Sequence, residues 1–494
     1  MPVQGPSITC SPQQGTTSTD EAFAASAAIL GRTAELAAKY VASLAQRPVG
    51  KPVSVVQLAA ALEEPLPEQG TPPAAAVEEW LSRAEPGIVA SAGPRYFGFV
   101  IGGTTAAALA GDWLASAIDQ NACLWATSPA AVQTELVVMR WLKELFQLPA
   151  DWVGALTSGT SNAHLIGLAA ARQWVGAQLG FDPARDGLSG FEPVPVVCST
   201  ATHVSTTKAL ATLGLGRSTV RQVPAPGGVI DLGALAATLQ TIGGPAIVIA
   251  NAGEVNTGAF DPLDKIADLC QFHPGGAWLH VDGAFGLCAR LCDRLAPLVQ
   301  GVERADSLAS DGHKWLNLPY DCGFVFVRNP EALRSAFSAD AAYIAPEPDA
   351  GWDPTSHMPE LSRRFRGLAA WCAIKAYGRI GYRALVERCV GWADEFGRWV
   401  QTTRSLELVA PVSLNIVCFR YIRAGLSTVE LNALNRAADA ALREDGRVFL
   451  SSTVWQEKVA LRAAFNNWAT GPEDLALLKA AVQSVARNLE ICND

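Results

Sequence analysis

Between residues 93 and 329, short apolar runs rich in β-branched residues alternate with longer helix-like stretches: VPVVCS at 194–199, AIVIAN at 246–251, WLHVD at 278–282 and CGFVFV at 322–327. This alternation constrains the fold more than any other feature of the chain. A strand followed by a helix and then another strand reads as a βαβ unit, and a series of such units predicts an α/β fold around a mainly parallel sheet. In such sheets ligands collect at the carboxyl ends of the strands.

The flanking regions read differently. Residues 1–92 alternate Ala-rich helical stretches (21–44 and 74–84) with Pro-rich connectors (47–52 and 65–73), which predicts an N-terminal helical arm. Beyond residue 330 comes a Pro-rich stretch at 343–359 suited to a mobile loop, followed by a long helix over 361–399 and an apparent strand at 414–421. A further helix and a last strand-helix unit complete a small α+β domain. The expected divisions are therefore 1–92, 93–330 and 331–494. A chain of 494 residues with 49% hydrophobic content can bury a large core in more than one domain.

Charge and cysteine usage exclude several classes of function. Acidic residues outnumber basic ones 47 to 38, and no Lys/Arg-rich block occurs, so neither nucleic acid nor an anionic membrane is an expected partner. The polar N-terminus lacks the pattern of a secretory signal, and the apolar stretch at 106–114 is too short to span a bilayer. The eleven cysteines include no C-x-x-C pair, which suits a reduced cytoplasmic protein with no metal site.

The segments LHVDGAFGLCARL (279–291) and ADSLASDGHKWLNLPYDCGFVFV (305–327) carry the chemistry. Asp282 ends an apolar strand, and His313-Lys314 follow an intervening helix and a short strand, so the two side chains can converge on one crevice. A lysine in a partly dry crevice loses its proton readily and can attack an aldehyde, while an aspartate facing a pyridine nitrogen keeps that nitrogen protonated. Taken singly, the same residues suit a helix cap and a surface lysine. At 156–172, LTSGTSNAHLIGLAAAR opens an Ala/Leu-rich helix with Thr160 and Ser161, suited to an anion or to plain capping. His203 falls where a helix begins after a strand.

In order and spacing these motifs resemble the group II amino-acid decarboxylases, within the fold-type I enzymes that use pyridoxal 5'-phosphate (PLP). The resemblance runs from about Gly93 to Asn467, and H-V-D-x-A followed by D-x-H-K-W is its most specific part. It implies a seven-stranded, mainly parallel sheet and a Schiff base between Lys314 and PLP. Asp282 then faces the pyridine nitrogen, with Ala284 of the same motif beside the cofactor. Thr160 and Ser161 contact the phosphate, His203 stacks on the ring, and His313 touches the phosphate or the lysine loop. Tyr343, in DAAYIAPEP (340–348), matches the tyrosine that protonates Cα after CO2 leaves. Arg462, in VALRAAFNN (459–467), matches an arginine near the substrate carboxylate, and Phe99 and Trp125 lie in segments that resemble the substrate pocket.

Two positions depart from the pattern. Glu254-Val255 stand where several relatives have a threonine pair, which leaves the substrate open. Asp311 replaces the asparagine of some members, and a carboxylate near a phosphate is repulsive unless turned away or paired, so Asp311 is not counted in the site. The expected activity is decarboxylation of an L-amino acid by a homodimer with its site between subunits. Aldehyde synthesis, carbon–carbon bond cleavage, or PLP binding without catalysis are the alternatives.

Overall fold

A computed structural model describes residues 19–338 and 354–491. The chain divides into two compact units, Met1–Val89 and Ala90–Asp494. The first holds three helices, α1 (Thr19–Ser43), α2 (Val55–Leu62) and α3 (Pro73–Ala84). Ser54 and Gln57 form a reciprocal capping box at the start of α2, and Pro73 opens α3 at a position where its missing N–H costs nothing. The Arg32 guanidinium donates to Glu78 at 2.7 Å and so ties α1 to α3. Val55, Val56, Leu66 and Trp80 of this unit are exposed.

The second unit begins with α4 (Ala106–Ile118) and α5 (Pro129–Phe146), then alternates strands and helices: β1 (Val153–Thr157), α6 (Thr160–Gln178), α7 (Pro183–Asp186), β2 (Val196–Ser199), α8 (Val204–Thr212), β3 (Arg221–Val223), α9 (Leu232–Gln240), β4 (Ala246–Asn251), α10 (Leu263–Gln271), β5 (Ala277–Asp282), β6 (Ser307–Asp311) and β7 (Gly323–Val327). These strands form one seven-stranded sheet in the order β1-β7-β6-β5-β4-β2-β3. Six strands point the same way; β7 alone is antiparallel to its neighbours β1 and β6. The sheet is thus mainly parallel, as expected from the alternation. β4 is buried at every position, as befits a central strand covered on both faces. Because side chains alternate, Leu279 and Val281 of β5 join one core cluster while Trp278 joins the other.

After α11 (Pro330–Phe337) comes α12 (Arg366–Thr402), which bends at Gly378 (φ 57°). This helix starts later than the pattern predicts because Arg363, just ahead of it, is drawn into the core. Its guanidinium donates to Ala122 O, Leu156 O and the Glu135 carboxylate. A second sheet, ordered β10-β11-β9-β8, is built from β8 (Leu406–Leu408), β9 (Ile416–Tyr421), β10 (Ser451–Trp455) and β11 (Lys458–Ala464), with α13 (Thr428–Asp445) and α14 (Pro472–Asn488). All its pairings are antiparallel. No helix among the described residues is long and apolar enough to cross a membrane.

Candidate active site

Five strands of the large sheet deliver residues to one cavity of about 350 Å³ at their carboxyl ends. Past β1 come Ser158, Gly159, Thr160 and Ser161; past β2, His203; at the end of β4, Asn251 and then Glu254; at the end of β5, Asp282 and Ala284; and from β6, Asp311, His313 and Lys314. Arg462 reaches in from β11 of the small sheet, and Phe99 from the segment ahead of α4. Phe99 and Val100 both adopt positive φ (52° and 61°), a costly backbone for large or branched side chains and one often found at functional sites.

The lysine is held rather than loose. Lys314 Nζ lies 2.9 Å from Asp311 Oδ2 and 5.9 Å from the centre of the Phe285 ring. Asp311 Oδ1 in turn accepts the backbone N–H of Thr160, the first residue of α6, at 2.6 Å. Burial alone would raise the Asp311 carboxyl, but Lys314 and His313 outweigh it and hold it below its usual range. Of the alternatives left open by the sequence, repulsive or paired, Asp311 is a paired anion. It joins the lysine, three residues on, to the start of α6, 151 residues away in the chain.

Asp282 is also supported. Oδ1 accepts the Ala284 N–H at 3.1 Å, and Oδ2 lies 3.3 Å from His164 Nε2. Burial opposes its charge, yet His164, Lys314 and the Ala284 N–H together hold it well below the usual carboxylate range. His203 is the N-cap of α8: its Nδ1 accepts the Ser205 N–H at 3.3 Å, so in the neutral ring the proton sits on Nε2. Burial lowers its pKa and favours that neutral form. His203 thus both caps α8 and lines the cavity.

Several buried polar atoms of this cavity find no hydrogen-bond partner among the described residues: Thr160 Oγ1, His313 Nδ1, and Nε and Nη2 of Arg462. Such orphans are costly unless a ligand satisfies them. Thr160 and His313 stand at the start of α6, where free N–H groups and the helix dipole favour an anion such as a phosphate. Arg462, 5% exposed, presents two unpaired donors suited to a carboxylate. An ionised aspartate, a lysine and an anion cradle in one cavity fit the donor set of PLP.

Phe99, Thr160, Ser161, His203, Asp282, Ala284, His313, Lys314 and Arg462 are thus brought together. Trp125 does not line the cavity; it sits partly exposed in the turn leading to α5, whose start at Ser128 carries the chain away. Tyr343 lies outside the described residues. Glu254 does face the cavity, but its carboxylate accepts four bonds from Asn256 and Thr257 and so braces its own turn. No cluster of metal-ligating groups occurs among the described residues.

Residues 56–422 match the family described as the pyridoxal-dependent decarboxylase conserved domain. Among curated proteins, the chain is 31% identical over 469 residues to an aromatic-L-amino-acid decarboxylase of Bacillus atrophaeus, covering 92% of this chain and 94% of that one. It is 27% identical over 397 residues to a phenylacetaldehyde synthase of Arabidopsis thaliana, covering 77% and 79%. Among solved structures, it superposes with a TM-score of 0.88 and 26% identity on Oryza sativa TDC with PLP and tryptamine, over 96% of this chain and 99% of the other.

Proposed function

This chain belongs to the pyridoxal-dependent decarboxylase family, and from that premise we propose how its own residues remove the carboxyl group of an L-amino acid. The enzyme is a PLP-dependent carboxy-lyase. Bound in the cavity, PLP supplies a sink for the electron pair left at Cα when CO2 departs. Lys314 would hold the cofactor through its amine and give way to the substrate amine. Asp282 would keep a proton on the pyridine nitrogen, His203 would lie against the ring, and Thr160, Ser161 and His313 would hold the phosphate. Ala284 donates its N–H to Asp282 from beside the ring. Arg462 takes the substrate carboxylate and sets the angle of the bond that breaks, and Tyr343 returns a proton to Cα.

The observation that carries this reading is the convergence of Lys314, Asp282 and the orphaned Thr160, His313 and Arg462 atoms on one cavity. The relatives' names point to an aromatic L-amino acid, and Phe99 and Val255 give the cavity an apolar wall suited to one. The working form is a cytoplasmic homodimer with the site at the subunit interface. The exposed Val55, Val56, Leu66 and Trp80 of the N-terminal unit suit a partner surface.

A panel of L-amino acids supplied with PLP, read for CO2, amine, aldehyde, ammonia and peroxide, tests the assignment. Amine and CO2 in equal amounts from an aromatic substrate are expected. Aldehyde and ammonia without amine would transfer the chain to the aldehyde-forming relatives.

A further inference from the structure

A row of buried polar side chains lies behind Asp282, and most of it lines no part of the cavity. Trp278, His280 and Asp282 alternate along one face of β5, the face covered by α6. Gly167 of α6 leaves the room: a Cβ there would stand 3.0 Å from His280 Cε1 and 3.3 Å from Ser307 Cβ. Along this face Trp278 Nε1 donates to Ser307 Oγ at 2.8 Å, and Ser307 Oγ lies 2.7 Å from His280 Nδ1. His280 Nε2 is 2.8 Å from His164 Nδ1, and His164 Nε2 is 3.3 Å from Asp282 Oδ2. Thr206 Oγ1 also approaches His164 Nε2, at 3.2 Å. Ser307, His280, His164 and Thr206 are fully buried.

The protons in this row can be placed from one end. An indole N–H only donates, so Ser307 Oγ accepts from Trp278. Among the described residues, the remaining partner of that hydroxyl is His280 Nδ1, which must accept the Ser307 proton. The His280 ring proton then sits on Nε2 and is donated to His164 Nδ1. His164 is left with its proton on Nε2, facing Asp282. Run the other way, the row strands the Ser307 proton and turns a bare nitrogen lone pair toward a carboxylate, an expensive arrangement in a dry interior. Burial lowers the His280 pKa well below its ordinary value, which removes a doubly protonated His280 ring as the way out.

We propose that His164 is a positioning residue for the cofactor's pyridine nitrogen: Trp278, Ser307 and His280 fix its tautomer, so that His164 Nε2–H holds Asp282 as an anion aimed into the cavity. With Oδ1 already taken by Ala284 N–H, both Asp282 oxygens are then oriented from behind. The role rests on the reading that Asp282 meets the pyridine nitrogen, while the tautomers themselves do not.

The first test therefore uses apoprotein labelled with 15N-histidine. Long-range 1H–15N correlations over the six histidines should report Nε2–H for both His164 and His280. An Nδ1–H pattern at either ring overturns the relay, whatever the protein binds. The second test compares His164→Leu with His164→Gln in the holoenzyme. Losing one hydrogen bond to a charged group predicts that Leu weakens PLP binding and lowers kcat by roughly tenfold to a hundredfold at unchanged KM. Gln, whose amide N–H can replace the donor, should recover most of both, and Trp278→Phe should give a smaller loss in the same sense. PLP affinity and kcat unmoved by Leu, or Gln no better than Leu, sinks the relay while wild-type decarboxylation leaves the assigned reaction standing. A wild-type protein that fails to bind PLP would instead remove the reading beneath it.

Discussion

Lys314 sits between an acid and an aromatic face, with Asp311 at 2.9 Å and the Phe285 ring beyond, surroundings that set it apart from an ordinary surface lysine and suit the role proposed for it. Asp311 pairs with Lys314 through one oxygen and accepts the Thr160 N–H through the other. Replacing Lys314 by Ala should abolish the visible absorbance that the wild type gains with PLP and lower decarboxylation at least about a thousandfold. A variant that keeps both would refute the role. Tyr343→Phe, which removes the proposed acid, should cut amine formation roughly a hundredfold or more and divert the product to aldehyde and ammonia, measured on the same substrate. That Lys314 and Asp282 meet in one crevice was legible from motif order. Asp311 was left out of the site because a sequence displays the sign of a charge but not the groups that neutralise it.

The elements place these residues through close backbone approaches. Lys314 O passes so near Gly102 that a Cβ there would overlap it, and at Gly323, the first residue of β7, a Cβ would lie 2.5 Å from Gly159 Cα. Gly159 itself has φ 150° and opens α6 toward His313 and Asp311. Gly323→Ala should therefore push β7 off the α6 start, destabilising the fold by about 1–3 kcal/mol as overpacking does, and weakening PLP binding with it. Denaturant titration and cofactor titration of the same variant check both; an unchanged PLP affinity would show that the turn absorbs the methyl. The apolar strands β2, β4, β5 and β7 could be read from their β-branched runs. β1, with the sequence VGALT, could not, since one valine beside glycine and alanine carries little strand signal.

For the molecule as a whole, acidity should be felt through buried imidazoles. Burial is the main cause that lowers the pKa values of His203, His280 and His313 from the ordinary 6.5. Their folded values lie below the unfolded one, so the unfolded chain binds more protons as pH falls through 6.5, and stability present above that value is lost below it. Asp261, pushed up to about 6 by burial, acts in the opposite sense and only from that pH downward. The thermal midpoint of the apoprotein should thus fall by several degrees between neutral pH and about pH 6. A flat or rising profile would mean that these rings are not neutral in the fold. Size-exclusion chromatography with light scattering should return twice the chain mass if the homodimer is the working form.

By itself the sequence determined the alternation that makes a mainly parallel sheet, the order of motifs along it, and the strand ends at which Asp282 and Lys314 stand, because period and order are local and linear. Only the tertiary structure decided what stands behind them. Asp311 against Thr160, Arg462 with its donors unpaired, and the Trp278-Ser307-His280-His164 row depend on side chains that meet from segments far apart in the chain. Burial then sets which of those groups carries a charge or a proton, and burial is a property of the packed molecule.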